Sequence, residues 1–498
     1  MTSSAASQEQ REVAEGAGLA SVGLLINGLL NLLLLTVLTR AMAKEEFALF
    51  QLVYLVQDSV GTLLPLGLPA ALAYFVPRIP AEQARALGFW TGVGLCILAI
   101  PVALALPVLA PLVSHDPLLR LAFGYLALYL VLDLPGQALS GYLLARRRYR
   151  GYFWVTVGFT ASRFASLAIP AALGAPFETL LVAFVGVAVL RFIWFLDQFL
   201  RREEGSLSPA TVHPGELLAY GVPLSLALIV GRVNVQVDKY LVAIVASQAD
   251  FASYTLGAVE LPLVASLAYS VTNAMVPALS ASAKEGDTGA FLRYWHGSVI
   301  KVAVIMMPVF CFFFLEADSA MRVLFTGKFV GAAAPFRAYL LLLPLRLCSY
   351  GAVLRALGRT RGVLTSSIAA LAANAALIYP LYLALGLIGP AIAAVIGQLV
   401  MIGMLLGQIR SSLALSWSSV MPYRAIGKTL LVAAASTLPV AGLMLLAKND
   451  VLRLLLGALL LVAGYLGLSH RTGIVGEGDL RYLRGLLRFG GRAPEDES

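Results

Sequence analysis

The chain has 498 residues, of which 59% are hydrophobic and 13% charged, with a formal net charge of +9 and a mean hydropathy of +0.85. These values exclude an ordinary soluble domain and a disordered chain, and they select a polytopic membrane protein. The positive charge gathers in alternate gaps between apolar runs, so membrane topology accounts for it and no nucleic-acid partner is called for.

A helix needs roughly 20 apolar residues to cross the hydrocarbon, and backbone groups in lipid must pair internally, which leaves helices or closed barrels. The runs here are too long and too evenly apolar for barrel strands. The expected fold is therefore all-α, with about 14 transmembrane helices. Residues 1–16 form a polar segment of mixed charge without the apolar stretch and cleavage site of a removable signal peptide. Spans are expected at 17–39, 47–76, 86–113, 118–145, 152–175, 179–200, 216–246, 250–281, 295–316, 332–354, 362–385, 387–410, 424–446 and 450–469.

Positively charged loops resist translocation, so the placement of Lys and Arg orients the chain. With a cytoplasmic N-terminus, 22 of the 36 Lys and Arg fall in inner gaps, 7 in outer gaps and 7 within spans. Arg146, Arg147, Arg148 and Arg150 form the densest inner group. Both termini are thus expected in the cytoplasm of a cell whose cytoplasmic membrane holds the protein, with an even number of spans. Loops are short throughout. The tail 470–498 alternates Arg with apolar residues over Asp479 to Phe489 and reads as an amphipathic surface helix. Cys96, Cys311 and Cys348 fall in apolar spans, and His115, His213, His296 and His470 are scattered. That distribution suits neither a disulfide framework nor a metal site, and no nucleophile elbow or phosphate-cradling glycine loop is present. A non-enzyme without a resident cofactor is expected.

An internal repeat stands at an offset of 204: Glu46, Phe47, Ala48, Phe50 and Leu52 reappear as Asp250, Phe251, Ala252, Tyr254 and Leu256. A second echo matches Arg148, Arg150 and Gly151 with Arg359, Arg361 and Gly362. The chain reads as two parallel six-helix bundles, 17–200 and 216–410, joined by a cytoplasmic linker 201–215 and followed by two extra helices within 424–469. Parallel repeats are related by an axis along the membrane normal, and transporters of that symmetry hold substrate between their halves.

A charged side chain at mid-bilayer costs roughly 2.5–3.5 kcal/mol on insertion scales, so each needs a partner, a wet cavity or a route to the interface. Arg191, Asp197 and Lys301 lie near span ends and can snorkel or pair there. The seventh span is the most loaded, with Arg232, Asn234, Gln236, Asp238 and Lys239 inside Gly231 to Ile244. At helical spacing Arg232, Gln236 and Lys239 share one face, with Asn234 and Asp238 on the adjacent one. Such a face cannot look at lipid: either it walls a cavity for an anionic, hydroxyl-rich substrate, or Asp238 forms a structural ion pair. Elsewhere Asn27 and Asn31 sit one turn apart in the first span, Asp58 in the second, Asp133 and Gln137 in the fourth, and Arg163 in the fifth opposite the repeat-related Asn374. Interhelical hydrogen bonding is the alternative reading for the amides. Pro65, Pro69, Pro135, Pro170, Pro223, Pro262 and Pro380 supply bends.

Leu38-Thr39-Arg40-Ala41 followed by Glu45-Glu46-Phe47-Ala48-Leu49-Phe50 resembles the first span boundary of polysaccharide (Wzx-like) flippases. Tyr220-Gly221-Val222-Pro223 with Asn234 and Asp238-Lys239-Tyr240 resembles their seventh-span signature, and Leu324-Phe325-Thr326-Gly327-Lys328-Phe329, Leu357-Gly358-Arg359-Thr360, Asn374 and Gly386-Leu387-Ile388-Gly389-Pro390-Ala391-Ile392-Ala393 complete the resemblance in chain order. Pro390 departs from the small residue usual there. The resemblance implies the multidrug/oligosaccharidyl-lipid/polysaccharide exporter superfamily, and a role in moving a polyprenyl-pyrophosphate-linked oligosaccharide to the outer leaflet by alternating access. It also implies a polysaccharide polymerase and a chain-length regulator as partners. On that reading Arg232 and Lys239, assisted by Arg163 and Arg346, hold the headgroup; Asn234, Gln236, Asn27 and Asn31 meet sugar hydroxyls; and Asp58, Asp133 or Asp238 responds to protons, sodium or substrate. Three alternatives stay open. A lipid II flippase shares the span plan. A multidrug/cation antiporter would want acid to dominate, whereas seven basic residues face five acidic ones within spans. A membrane glycan ligase or polymerase would want a long outer loop.

Overall fold

The computed structural model describes residues 2–113, 116–208, 212–259, 261–446 and 448–474. His115, Glu260 and the tail helix expected over Asp479 to Phe489 lie outside the described residues. Among the described residues twenty α-helices follow in order. The first eight are α1 (Thr2–Ala41), α2 (Lys44–Leu63), α3 (Leu68–Phe75), α4 (Ala81–Val113), α5 (Pro117–Asp133), α6 (Pro135–Ala145), α7 (Tyr149–Ala172) and α8 (Phe177–Asp197). Next come α9 (Pro214–Val245), α10 (Gln248–Gly257), α11 (Pro262–Glu285), α12 (Thr288–Leu315), α13 (Ala317–Phe325), α14 (Ala333–Leu340), α15 (Tyr350–Ala356), α16 (Thr360–Leu385) and α17 (Ile388–Ser412). The last are α18 (Tyr423–Ser436), α19 (Leu438–Leu446) and α20 (Asp450–Arg471). No strand occurs among the described residues.

Among the described residues, eleven helical segments are long and apolar enough to cross a membrane, or twelve if the bent pair Pro214–Leu226 and Leu228–Val245, inclined by 46°, is one span. The fourteen expected runs differ from this count at 250–281 and 332–354. Proline breaks both: α10 stops at Gly257 and α11 restarts at Pro262, while α14 and α15 are separated by a turn holding Pro344. A proline removes one helical hydrogen bond and clashes with the preceding turn, so an apolar run need not be one helix. Pro65 and Pro69 likewise sit at the break between α2 and α3, where Leu66 and Gly67 have φ of 49° and 73°.

The chain divides into two compact units. The first comprises Met1–Ser266, Leu324–Tyr339 and Thr360–Met404, and so draws helices from both expected bundles. In it α1 packs on α7, α4 on α5 and α6, α8 on α5 and α7, and α9 on α2, α3 and α16. Its core gathers Leu72, Leu95, Leu139, Tyr142, Phe195 and Phe199. The crossing of α3 and α9 is backbone to backbone: a Cβ on Gly67 would meet Gly221 O at 2.3 Å. Beside it the Tyr74 and Tyr220 rings stack at 4.4 Å.

Two residues related by the repeat offset meet in this unit. Gln51 on α2 and Thr255 on α10 are equivalent at the 204-residue offset, and Gln51 Nε2 donates to Thr255 Oγ1 at 3.4 Å in a buried contact. Both helix starts carry an acid in the first turn, Glu46 reaching back to Ala43 N at 3.3 Å and Asp250 to Ser247 Oγ at 2.8 Å.

The second unit comprises Leu267–Val323, Leu340–Arg359 and Leu405–Ser498. Here α12 packs on α18 and α20 around Phe312, Val440 and Leu461. Arg453 donates to the fully buried Glu316 at 2.8 Å, and Arg322 grips Asp450 with two bonds of 2.7 and 2.8 Å. These pairs tie α20 to the chain around α13.

Candidate functional site

Helix α9 sorts its polar residues by face as helical geometry dictates. Arg232, Gln236 and Lys239 all line one cavity of about 190 Å³ in the first unit, with Asn31 from α1, Gln51, Tyr54 and Asp58 from α2, and Thr255 from α10. Arg232 Nη2 donates to Asp58 Oδ2 in an ion pair, and Gln236 Nε2 donates to the same oxygen at 2.7 Å. Arg232 Nε and Gln236 Oε1 are buried and have no hydrogen-bond partner among the described residues. Lys239 Nζ donates to Val235 O at 2.8 Å, lies 3.9 Å from Asp238 Oδ1 and sits 5.8 Å from the Tyr339 ring centre. The cavity therefore offers one guanidinium already held by an internal carboxylate, one ammonium, and an amide and hydroxyl wall. Guanidinium forks and ammonium groups suit phosphate oxygens, and the amides suit sugar hydroxyls.

The adjacent face of α9 is occupied by protein. Asp238 is fully buried and accepts from Tyr254 OH at 2.5 Å and from Tyr339 OH. Asn374 Nδ2 on α16 donates to Asn234 Oδ1 at 3.1 Å and to Asn234 O at 3.2 Å. These contacts pack helices and line no cavity described for this unit. Asn27 lies on α1 with its Oδ1 buried and unpaired among the described residues. Arg346 belongs to the second unit, in the turn between α14 and α15.

A second cavity of about 220 Å³ lies in the same unit among α5, α7 and α8. Tyr152, Thr156, Thr160 and Arg163 line it from one face of α7, with Tyr129 and Asp133 on α5, Ser140 on α6 and Arg191 on α8. Arg191 Nη1 donates to Asp133 Oδ1 at 2.7 Å, so Arg191 pairs inside the protein rather than reaching for the interface. Arg163 Nη2 donates to Asn31 Oδ1 at 2.8 Å, and its guanidinium lies 5.6 Å from the Tyr54 ring centre. Since Asn31 and Tyr54 line the first cavity, Arg163 stands at the wall between the two.

The sequence reading did not single out Arg191, Tyr54, Gln51 or Thr255 as site residues. One signal for the last two was available, because Gln51 and Thr255 are partners at the repeat offset. Asp133 and Arg191 are an opposite-charge pair within apolar runs, but which spans are neighbours cannot be read from a list of runs.

Residues 13–283, more than half of the chain, match the family model described as polysaccharide biosynthesis protein. No curated protein matches the chain significantly. Among solved structures the fold is similar to that of the lipid II flippase MurJ in an inward closed conformation, with a TM-score of 0.72 and 14% identity over 94% of this chain and 99% of that one. It is also similar to an inward-facing multidrug resistance MATE family transporter of the MOP superfamily, with a TM-score of 0.57 and 18% identity over 78% and 95% of the two chains. A MOP superfamily transporter from Pyrococcus furiosus, noted for the reverse polarity of its binding pocket, gives a TM-score of 0.54 and 15% identity over 80% and 96%. At such identities the likeness is one of fold.

Proposed function

The chain belongs to the polysaccharide biosynthesis protein family, and from that premise we propose that it is a flippase carrying a polyprenyl-pyrophosphate-linked oligosaccharide across the cytoplasmic membrane by alternating access. The observation that carries the reading is the cavity on α9, where Arg232 and Lys239 stand beside Gln236, Asn31 and Gln51. A pyrophosphate headgroup needs cations in a polar pocket, while its prenyl tail stays in lipid. A cation antiporter would need the opposite balance.

In this reading Asp58 acts as an internal stand-in for the anion. It holds Arg232 and Gln236 when the cavity is empty, and the pyrophosphate displaces it, because two phosphates offer more acceptor oxygens than one carboxylate. The released Asp58 is then the group placed to take up a proton or a sodium ion, which would couple loading to a gradient. Asn234 and Asp238 hold helices together, and the outer face delivers the glycan to a polymerase.

Reconstitution tests this directly. Purified protein in liposomes with a labelled polyprenyl-pyrophosphate oligosaccharide should expose the sugar to an impermeant glycosidase. Arg232→Ala should lower that rate at least tenfold in protein that remains folded and monodisperse. Unchanged transport in the Arg232→Ala, Lys239→Ala double variant would remove the headgroup assignment. Transport of lipid II but of no other glycan lipid would move the assignment to a peptidoglycan precursor.

A further inference from the structure

The cavity bounded by Asp133, Arg163 and Arg191 has one more cation than anion in its lining. Its wall holds two guanidiniums and one carboxylate. Arg191 and Asp133 pair at 2.7 Å, while the hydrogen bond of Arg163 goes to a neutral amide, Asn31 Oδ1, beside the Tyr54 ring and within the electrostatic reach of Asp133. A half-buried cation is costly to leave uncompensated, so the wall calls for one further negative charge. The rest of the lining is suited to a sugar, with hydroxyls of Ser140, Tyr152, Thr156 and Thr160 and the Phe159 ring. At about 220 Å³ the space falls below the roughly 300–1,000 Å³ of a drug-sized site, the scale of a single sugar unit.

We propose that this cavity is a selectivity subsite for a carboxylate-bearing monosaccharide within the transported glycan, with Arg163 as the residue that binds its carboxylate. The proposal rests on the flippase reading and adds the class of sugar to it. The wall shared with the α9 cavity supplies the connection: Arg163 touches Asn31 and Tyr54, both of which line the headgroup cavity. A substrate whose pyrophosphate lies at Arg232 therefore presents its sugars toward Arg163. Asp133 and Arg191 act as positioning residues that hold α5 to α8 and keep the cavity open.

Two lipid-linked glycans matched except at one unit, a hexuronic acid in one and the neutral hexose in the other, serve as probes in proteoliposomes. The wild type should move the acidic glycan at least tenfold faster than the neutral one. Arg163→Gln should bring that ratio close to one, Arg163→Lys should retain most of it, and Thr160→Val should slow both glycans alike. A wild-type ratio near one, or a ratio that Arg163→Gln leaves intact, overturns the subsite while leaving the flippase reading standing. Equal dependence of both glycans on Arg163 would also overturn it, assigning the residue to the pyrophosphate common to both. Failure of the wild type to move either glycan removes the flippase reading itself. Thermal unfolding of each variant in detergent separates lost selectivity from lost folding.

Discussion

Gly136 stands in the first turn of α6, and a Cβ there would meet Arg191 Nε at 2.3 Å and Arg191 Cδ at 2.7 Å. The missing Cβ is what lets the Arg191 side chain run against α6 while it pairs with Asp133. Gly136→Ala should push Arg191 off Asp133 and destabilise the protein by about 1–3 kcal/mol, the usual range for overpacking a filled site. Gly124→Ala serves as the control, since nothing lies within 4 Å of a Cβ added on α5. Its thermal unfolding should be unchanged or slightly raised, and equal effects of the two changes would show that Gly136 is not shaped around Arg191. Both charges of this pair are plain in the sequence, where Arg191 reads as a residue near a span end that can snorkel or pair there. Its distance from a span end was countable, while its neighbour on another helix was not.

Among elements, α9 was the most legible. Helical spacing alone put Arg232, Gln236 and Lys239 together, and all three line one cavity. The spacing also put Asn234 and Asp238 on another face, but it left open what they meet, which is α16 for one and two tyrosines for the other. The break between α2 and α3 shows why proline positions are only half the information. Pro65 and Pro69 announce a bend, but the tight crossing with α9 depends on Gly67, whose φ of 73° suits glycine and whose missing Cβ admits Gly221 O. Gly67→Ala meets both a strained backbone and a clash. It should lower stability by about 1–2 kcal/mol or more from the left-handed backbone alone, and should raise the reactivity of cysteines placed at Tyr74 and Tyr220 toward a water-soluble thiol reagent. An unaltered labelling rate and melting temperature would mean that the α3–α9 crossing is not held by this contact.

For the molecule as a whole, the distribution of Lys and Arg argues that both ends of the chain face the cytoplasm, since 22 of 36 lie in inner gaps. A fluorescent reporter that matures only in the cytoplasm should be bright when fused before residue 1 or after residue 474. A phosphatase that works only outside should be active when inserted near Lys328 and silent at the two ends. The reverse pattern would invert the topology and with it the direction of transport. The all-helical membrane class was legible because it depends on composition and run length, quantities summed over many residues. The span count was less so, because an apolar run continues through Pro262 and Pro344 while the helix does not.

The sequence by itself determined the solvent, the helical class and the periodic faces of α9. Each is a property of composition or local pattern, and none requires knowing which helices touch. Tertiary structure alone decided that Asp58 closes on Arg232, that Asp133 takes Arg191, and that Arg163 is left at a wall shared by two cavities. Those pairings join residues 174, 58 and 132 positions apart. Charge pairing of that kind acts through space over a few ångströms, so only the packing of α1, α2, α5, α7, α8 and α9 settles which charges meet.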